Sequence, residues 1–209
     1  MEERIGAILH RLKERFPDAR LLLEFRNPFE LLIATILAAQ ARDEKVNEVT
    51  RKLFSAFPTP RDLAEAPEEE VAKFVQPLNY ARKKAAFIKK VSQALVARFG
   101  GEIPASLEEL VQLPGVGRKT ANVVLANAFG IPAIPVDTHV GRVAQRIGLT
   151  RAQNPDRIEE DLRTLIPQNQ WIRASHLLGF LGRFICQAKR PDCRTCPITD
   201  LCAYPEKTL

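Results

Sequence analysis

Leu113-Pro-Gly-Val-Gly-Arg-Lys-Thr-Ala121 decides how the rest of the chain is read. Upstream, Ser106-Leu-Glu-Glu-Leu-Val-Gln112 reads as a short helix. Ser106 and Glu109 have the spacing of a capping box, in which each side chain satisfies an orphan backbone donor. Pro114 and Gly115 stop that helix, and Gly115 and Gly117 permit backbone conformations that a Cβ resists. A second helix starts near Arg118 and runs to about Phe129. The product is helix, tight Gly-x-Gly hairpin, helix. Its hairpin amides and the first turn of the second helix point the same way, a positive nest suited to one phosphate oxygen. A Walker nucleotide loop is a poor fit, because that motif needs glycines where this chain has Leu113 and Arg118.

Lys119 falls in the first turn of the second helix, where a cation opposes the helix dipole at a cost of up to about 1 kcal/mol. With Arg118 beside it, the local field favours the neutral amine, the form that attacks carbonyl-like carbons. The plainer reading is a surface lysine gripping phosphate. Asp137, in Val136-Asp-Thr-His139, is the only carboxylate between Glu109 and Asp156, a span that also holds Arg118, Lys119, Arg142, Arg146 and Arg151. It lies just before an expected helix, Thr138 to Ile147, where Asp is a favoured N-cap. Capping and catalysis are compatible, since one carboxylate oxygen can cap while the other stays available.

Leu113 to Val124 and Val136 to His139 together resemble the helix-hairpin-helix signature and catalytic-aspartate region of the endonuclease III family of DNA glycosylases. The resemblance extends from Leu31-Leu-Ile-Ala-Thr-Ile-Leu-Ala-Ala-Gln40 to Cys202. It implies an all-α, two-domain fold: a helical barrel over 22–131 bearing the hairpin (about 106–129), and a discontinuous iron–sulfur domain from 1–21 and 132–209. It also implies that Lys119 is a Schiff-base nucleophile and Asp137 its acidic partner, facing each other across a cleft. The hairpin residues Gly115, Val116, Gly117 and Arg118, with His139, would contact DNA. Gln40 matches the glutamine that the family inserts beside the orphaned base, although its position also suits an ordinary polar helix end. A second wedge is expected from Leu78-Asn-Tyr-Ala-Arg-Lys-Lys84, where the family's Gly-hydrophobic-Tyr start is replaced, leaving Leu78 and Tyr80 as alternatives. Ala38 and Arg42 depart from the family's commoner context around the glutamine.

All four cysteines lie at the carboxyl end, Cys186-x6-Cys193-x2-Cys196-x5-Cys202. That clustering is a metal-site pattern. Spacing alone leaves zinc and iron–sulfur open, since one nested loop matches neither paired zinc knuckles nor ferredoxin runs. The resemblance matches a 4Fe–4S loop at each cysteine and implies a structural cluster, with Lys189 and Arg190 of the intervening loop held against phosphate.

A formal charge of +6 suits a polyanionic partner. From Val71 to Gly101 there is no acid, while Lys73, Arg82, Lys83, Lys84, Lys89, Lys90 and Arg98 are basic, so this segment, Lys83 and Lys84 included, is expected to face DNA. The amino terminus lacks a signal-peptide layout, and the longest apolar run, Leu31 to Ala39, is too short to span a bilayer. A monomeric, cytoplasmic, nucleoid-associated protein without membrane or disulfides is expected.

Helical periodicity recurs elsewhere, as in Ile5, Ile8, Leu9, Leu12 and Phe16, and no alternating strand pattern appears. Pro28 opens a central apolar helix, Asn154-Pro155 is a cap and first residue, and Gly100-Gly101 closes a long basic helix. Trp171 and His176, on the last long helix, read as packing residues rather than ligands. Through its resemblance the chain is expected to remove oxidised pyrimidines from duplex DNA and to cut the strand 3′ to the lesion by β-elimination. The alternatives are a glycosylase for mismatches or other lesions on the same scaffold, and a non-catalytic DNA-binding module.

Overall fold

A computed structural model describes residues 2–208, and every regular element among them is helical. The chain divides into two compact units, Leu22–Phe129 and Met1–Leu21 with Gly130–Leu209.

In the Leu22–Phe129 unit, α2 (Pro28–Leu37) is the central element. Asn27 caps it, its side chain accepting from the Glu30 amide at 2.9 Å, and Pro28 follows where its missing N–H costs nothing. Leu31, Leu32, Ile33, Ala34 and Leu37 are fully buried, so the helix is apolar on nearly every side. It packs against α3 (Asp43–Ala56), α6 (Ala81–Phe99) and α8 (Arg118–Ala128). Two short helices, α4 (Pro60–Glu65) and α5 (Glu68–Val75), lie along α6. A reciprocal capping box does occur here, but between Thr59 and Asp62 at the start of α4. At α7 (Leu107–Leu110) the expected box is half made: Ser106 accepts from the Glu109 amide, while the Ser106 hydroxyl donates to Glu108. Glu109 therefore does not return the bond that the pattern predicts. Gly100, at φ +63°, closes α6 in the left-handed conformation that glycine adopts without a Cβ penalty.

The other unit contains α1 (Glu2–Arg15), α9 (Thr138–Arg146), α10 (Pro155–Leu165) and α11 (Trp171–Phe184). Ile8, Leu12, Val143, Leu162 and Leu178 belong to one apolar core. Asn154 caps α10 ahead of Pro155, as its sequence signature indicates. Helix α11 packs on α9 so closely that a Cβ on Gly182 would stand 2.9 Å from the His139 Cβ and 3.0 Å from its carbonyl oxygen. Trp171 is buried in this core with its indole N–H on the Ile166 carbonyl, and His176 is half-buried. Arg4 ties α1 to the Leu201 and Ile147 carbonyls, which fastens the amino-terminal helix to the carboxyl-terminal segment.

Candidate active site and DNA interface

Of the two hairpin glycines only Gly115 needs its missing Cβ, since Gly117 is extended at φ -84° with open space around it. Gly115 has φ +63°, and Val116 donates to the Leu113 carbonyl to close the turn. Leu113 and Val116 are buried and anchor the hairpin from beneath. Val116 can therefore act only through its place in the turn, since its amide is already spent. The amides of Gly115 and Gly117 find no acceptor among the described residues, which leaves them for an anion. Gly117 is the N-cap of α8 and offers no side-chain cap to its first turn. Arg118 and Lys119 are the first two residues of that helix; Lys119 is exposed and Arg118 half-buried.

Asp137 is the N-cap of α9, and a single oxygen does all the capping. Oδ1 accepts from the His139 amide at 2.9 Å and from the Val140 amide at 2.8 Å. Oδ2 has no partner among the described residues and is available for chemistry. The half-buried His139 is held through its ring, 3.2 Å from an Arg142 nitrogen.

Of the two wedge alternatives, Leu78 is buried at 5% exposure and Tyr80 stands out at 61%. Tyr80 and Gln40 are the two non-glycine residues with positive φ among those described, at +60° and +54°. Such conformations cost a residue with a Cβ on the order of 1–3 kcal/mol and concentrate at functional positions. Sequence reasoning had no access to that strain, because neither residue type advertises it.

The basic segment separates into two groups. Lys73, Arg82, Lys83, Lys90 and Arg98 are exposed. Lys84 is buried and donates to the Leu37 carbonyl at 2.9 Å, and Lys89 donates to the Ala64 and Ala66 carbonyls. The expectation that Lys84 faces DNA is thus replaced by an internal role. Periodicity identifies a buried face but cannot say that a lysine stem will be drawn into it.

The four cysteines, all half-buried thiols, line one cavity with Ile147, Leu181, Pro191 and Tyr204. Among the described residues no three metal-binding side chains stand close enough to grip one ion. Four thiols lining one cavity supply the one thiolate per iron that a 4Fe–4S cluster would need. The donor set fits a cluster. Arg146 braces this loop, donating to the Gln187 carbonyl at 2.7 Å, the Ala188 carbonyl at 2.8 Å and the Cys186 Sγ at 3.5 Å, and lying 4.6 Å over the Tyr204 ring. Lys189 and Arg190 are consequently presented to solvent on a fastened loop.

The sequence model for HhH-GPD superfamily base excision DNA repair proteins matches residues 33–168. Endonuclease III of Synechocystis sp. is 46% identical over 96% of this chain and 92% of its own length. The chain is a member of the endonuclease III family. A solved structure of a trapped endonuclease III–DNA covalent intermediate, with an estranged adenine, has a TM-score of 0.92 and 43% identity, covering 97% of this chain and 95% of that one. A thermostable thymine-DNA glycosylase has a TM-score of 0.88 at 25% identity, covering 98% of this chain and 97% of its own. A separate cavity, lined by Lys45, Val49, Lys52, Glu70 and Phe74, contains neither the hairpin residues nor the capped aspartate.

Proposed function

We propose that this protein is a bifunctional base excision repair enzyme, a DNA glycosylase and AP lyase acting on oxidised pyrimidines in duplex DNA. The observation that carries the reading is Lys119, exposed in the first turn of α8 directly after open hairpin amides. The family relative caught as a covalent DNA intermediate supports it. An enzyme working on a base in a duplex first extrudes the nucleotide, at a cost of a few kcal/mol in stacking and pairing. Gln40 and Tyr80 fill the space it leaves. The hairpin amides hold a backbone phosphate, while Lys83, Lys189 and Arg190 supply further phosphate contacts.

The Lys119 amine then attacks the sugar C1′, forming a C–N bond as the glycosidic bond breaks and the damaged base leaves with the bonding electrons, to be protonated by water. Asp137 Oδ2 stabilises positive charge developing on the sugar and takes the proton that the amine must lose. Ring opening gives a Schiff base, which acidifies the C2′ hydrogens. Loss of a C2′ proton expels the 3′ phosphate, and water releases Lys119. A 4Fe–4S cluster on Cys186, Cys193, Cys196 and Cys202 would supply structure, tying the loop that bears Lys189 and Arg190; no step passes through it.

Borohydride should trap a covalent complex of the protein with abasic duplex DNA, and Lys119→Ala should abolish it. A cross-link that persists in Lys119→Ala removes the assignment. Duplexes carrying oxidised pyrimidines, uracil or thymine opposite guanine, and alkylated bases rank the substrates. Preference for thymine opposite guanine would favour the mismatch alternative.

A further inference from the structure

The turns that carry Gln40 and Tyr80 are joined twice. Asn79 Nδ2 donates to the Gln40 carbonyl at 3.3 Å, and Lys84 Nζ donates to the Leu37 carbonyl at 2.9 Å. Leu37 ends α2 three residues before Gln40, and Lys84 lies in the first turn of α6, four residues after Tyr80. Both links therefore run from the Tyr80 side to the Gln40 side. The second is costly to make, because the Lys84 ammonium is buried and burial lowers its pKa with no carboxylate to offset it. What holds the charge in place is the carbonyl end of α2, the negative end of a helix dipole. A buried cation placed there serves the end of α2 and the turn that follows it. Gln40, at φ +54°, would otherwise relax toward the broad negative-φ region and swing its side chain away.

We propose that Asn79 and Lys84 are positioning residues that brace the Gln40 turn against the Tyr80 turn, so that the two side chains enter DNA as one preformed wedge. The inference rests on the reading that Gln40 fills the space of the extruded nucleotide. Its physical content is preorganisation: the strain at both turns is met during folding rather than during binding.

The test uses the full-length protein and a duplex carrying 2-aminopurine opposite a tetrahydrofuran abasic analogue, whose emission changes when the orphaned base is displaced. Gln40→Ala should lose that change. Asn79→Ala, at an exposed position that does not threaten the fold, should reduce it and weaken binding roughly two- to tenfold, the span expected for one hydrogen bond. Lys84→Met should act in the same direction, with thermal unfolding confirming that it remains folded. In the Gln40→Ala background, Asn79→Ala should cost clearly less than in the parent, because half of the wedge that the brace positions is already gone. Full additivity in that cycle, or wild-type emission and affinity in both Asn79→Ala and Lys84→Met, overturns the brace while leaving the wedge intact. If Gln40→Ala itself leaves emission unchanged, the wedge reading fails and takes the brace with it.

Discussion

The ring of Phe87, on α6, occupies the space that a β-carbon on Gly115 would need: its nearest carbon lies 1.6 Å from the ideal Cβ position. The Gly115 hairpin is thus seated directly on an aromatic side chain of the basic helix, and Gly115 is required both for φ +63° and for this close approach. Gly115→Ala should destabilise the protein by about 1–3 kcal/mol, combining left-handed strain with overpacking. Adding Phe87→Ala should remove the steric part, so urea unfolding of the double variant should show less loss than the sum of the singles. Strict additivity would mean that the ring moves aside freely.

Asp137 offers a way to separate capping from chemistry. Asn is as good an N-cap as Asp, so Asp137→Asn should retain both amide bonds and unfold within about 1 kcal/mol of the parent. Its turnover should fall about 10²-fold or more, since the amide cannot take a proton. Asp137→Ala should lose turnover and, in addition, about 0.5–2 kcal/mol of stability. Turnover near the parent value in Asp137→Asn would reduce the residue to a cap.

His176 carries a pH dependence. Burial, with Arg173 adding to it, lowers its pKa to about 4 in the folded protein. Above the unfolded value near 6.5 the imidazole is neutral in both states and contributes nothing. As pH falls from there toward 4, the unfolded chain takes up a proton that the folded chain refuses, so stability declines, by about 3 kcal/mol at most from this group. Urea midpoints at pH 7 and pH 4.5 should differ less for His176→Phe than for the parent. An equal difference would show that the carboxylates alone set the acid limb.

Arg146 should govern how well the cysteine loop holds iron. Removing its bonds to Gln187, Ala188 and Cys186 in Arg146→Met should weaken retention about 10- to 100-fold, the usual range for groups that orient metal ligands. Iron per chain and visible absorption under a chelator provide the measurement. Retention equal to the parent would assign Arg146 to packing on Tyr204 alone.

The exposed and buried lysines of α6 should behave differently in salt. Lys83→Gln should lower the slope of log affinity against log salt by about 0.9 for the one phosphate contact removed. Lys84→Met should leave the slope nearly unchanged, because its ammonium is engaged at Leu37. Equal changes in both would place Lys84 back on the DNA-facing surface.

Much of this could be read in one dimension because the physics involved is short-ranged. Asn27-Pro28 and Asn154-Pro155 open helices, Gly100 closes one and Asp137 caps another through atoms two or three residues away, so their pattern suffices. The hairpin and the cysteine spacing were legible for the same reason. Other features depend on contacts between distant segments. Which alternative in Leu78-Asn-Tyr80 faces solvent, whether Lys84 reaches water or the end of α2, and how Arg146 meets a loop about forty residues onward follow from how the helices stack. Local chemistry dictates where a helix begins and ends; burial of its apolar face against a neighbour dictates which of its polar side chains stay free to act.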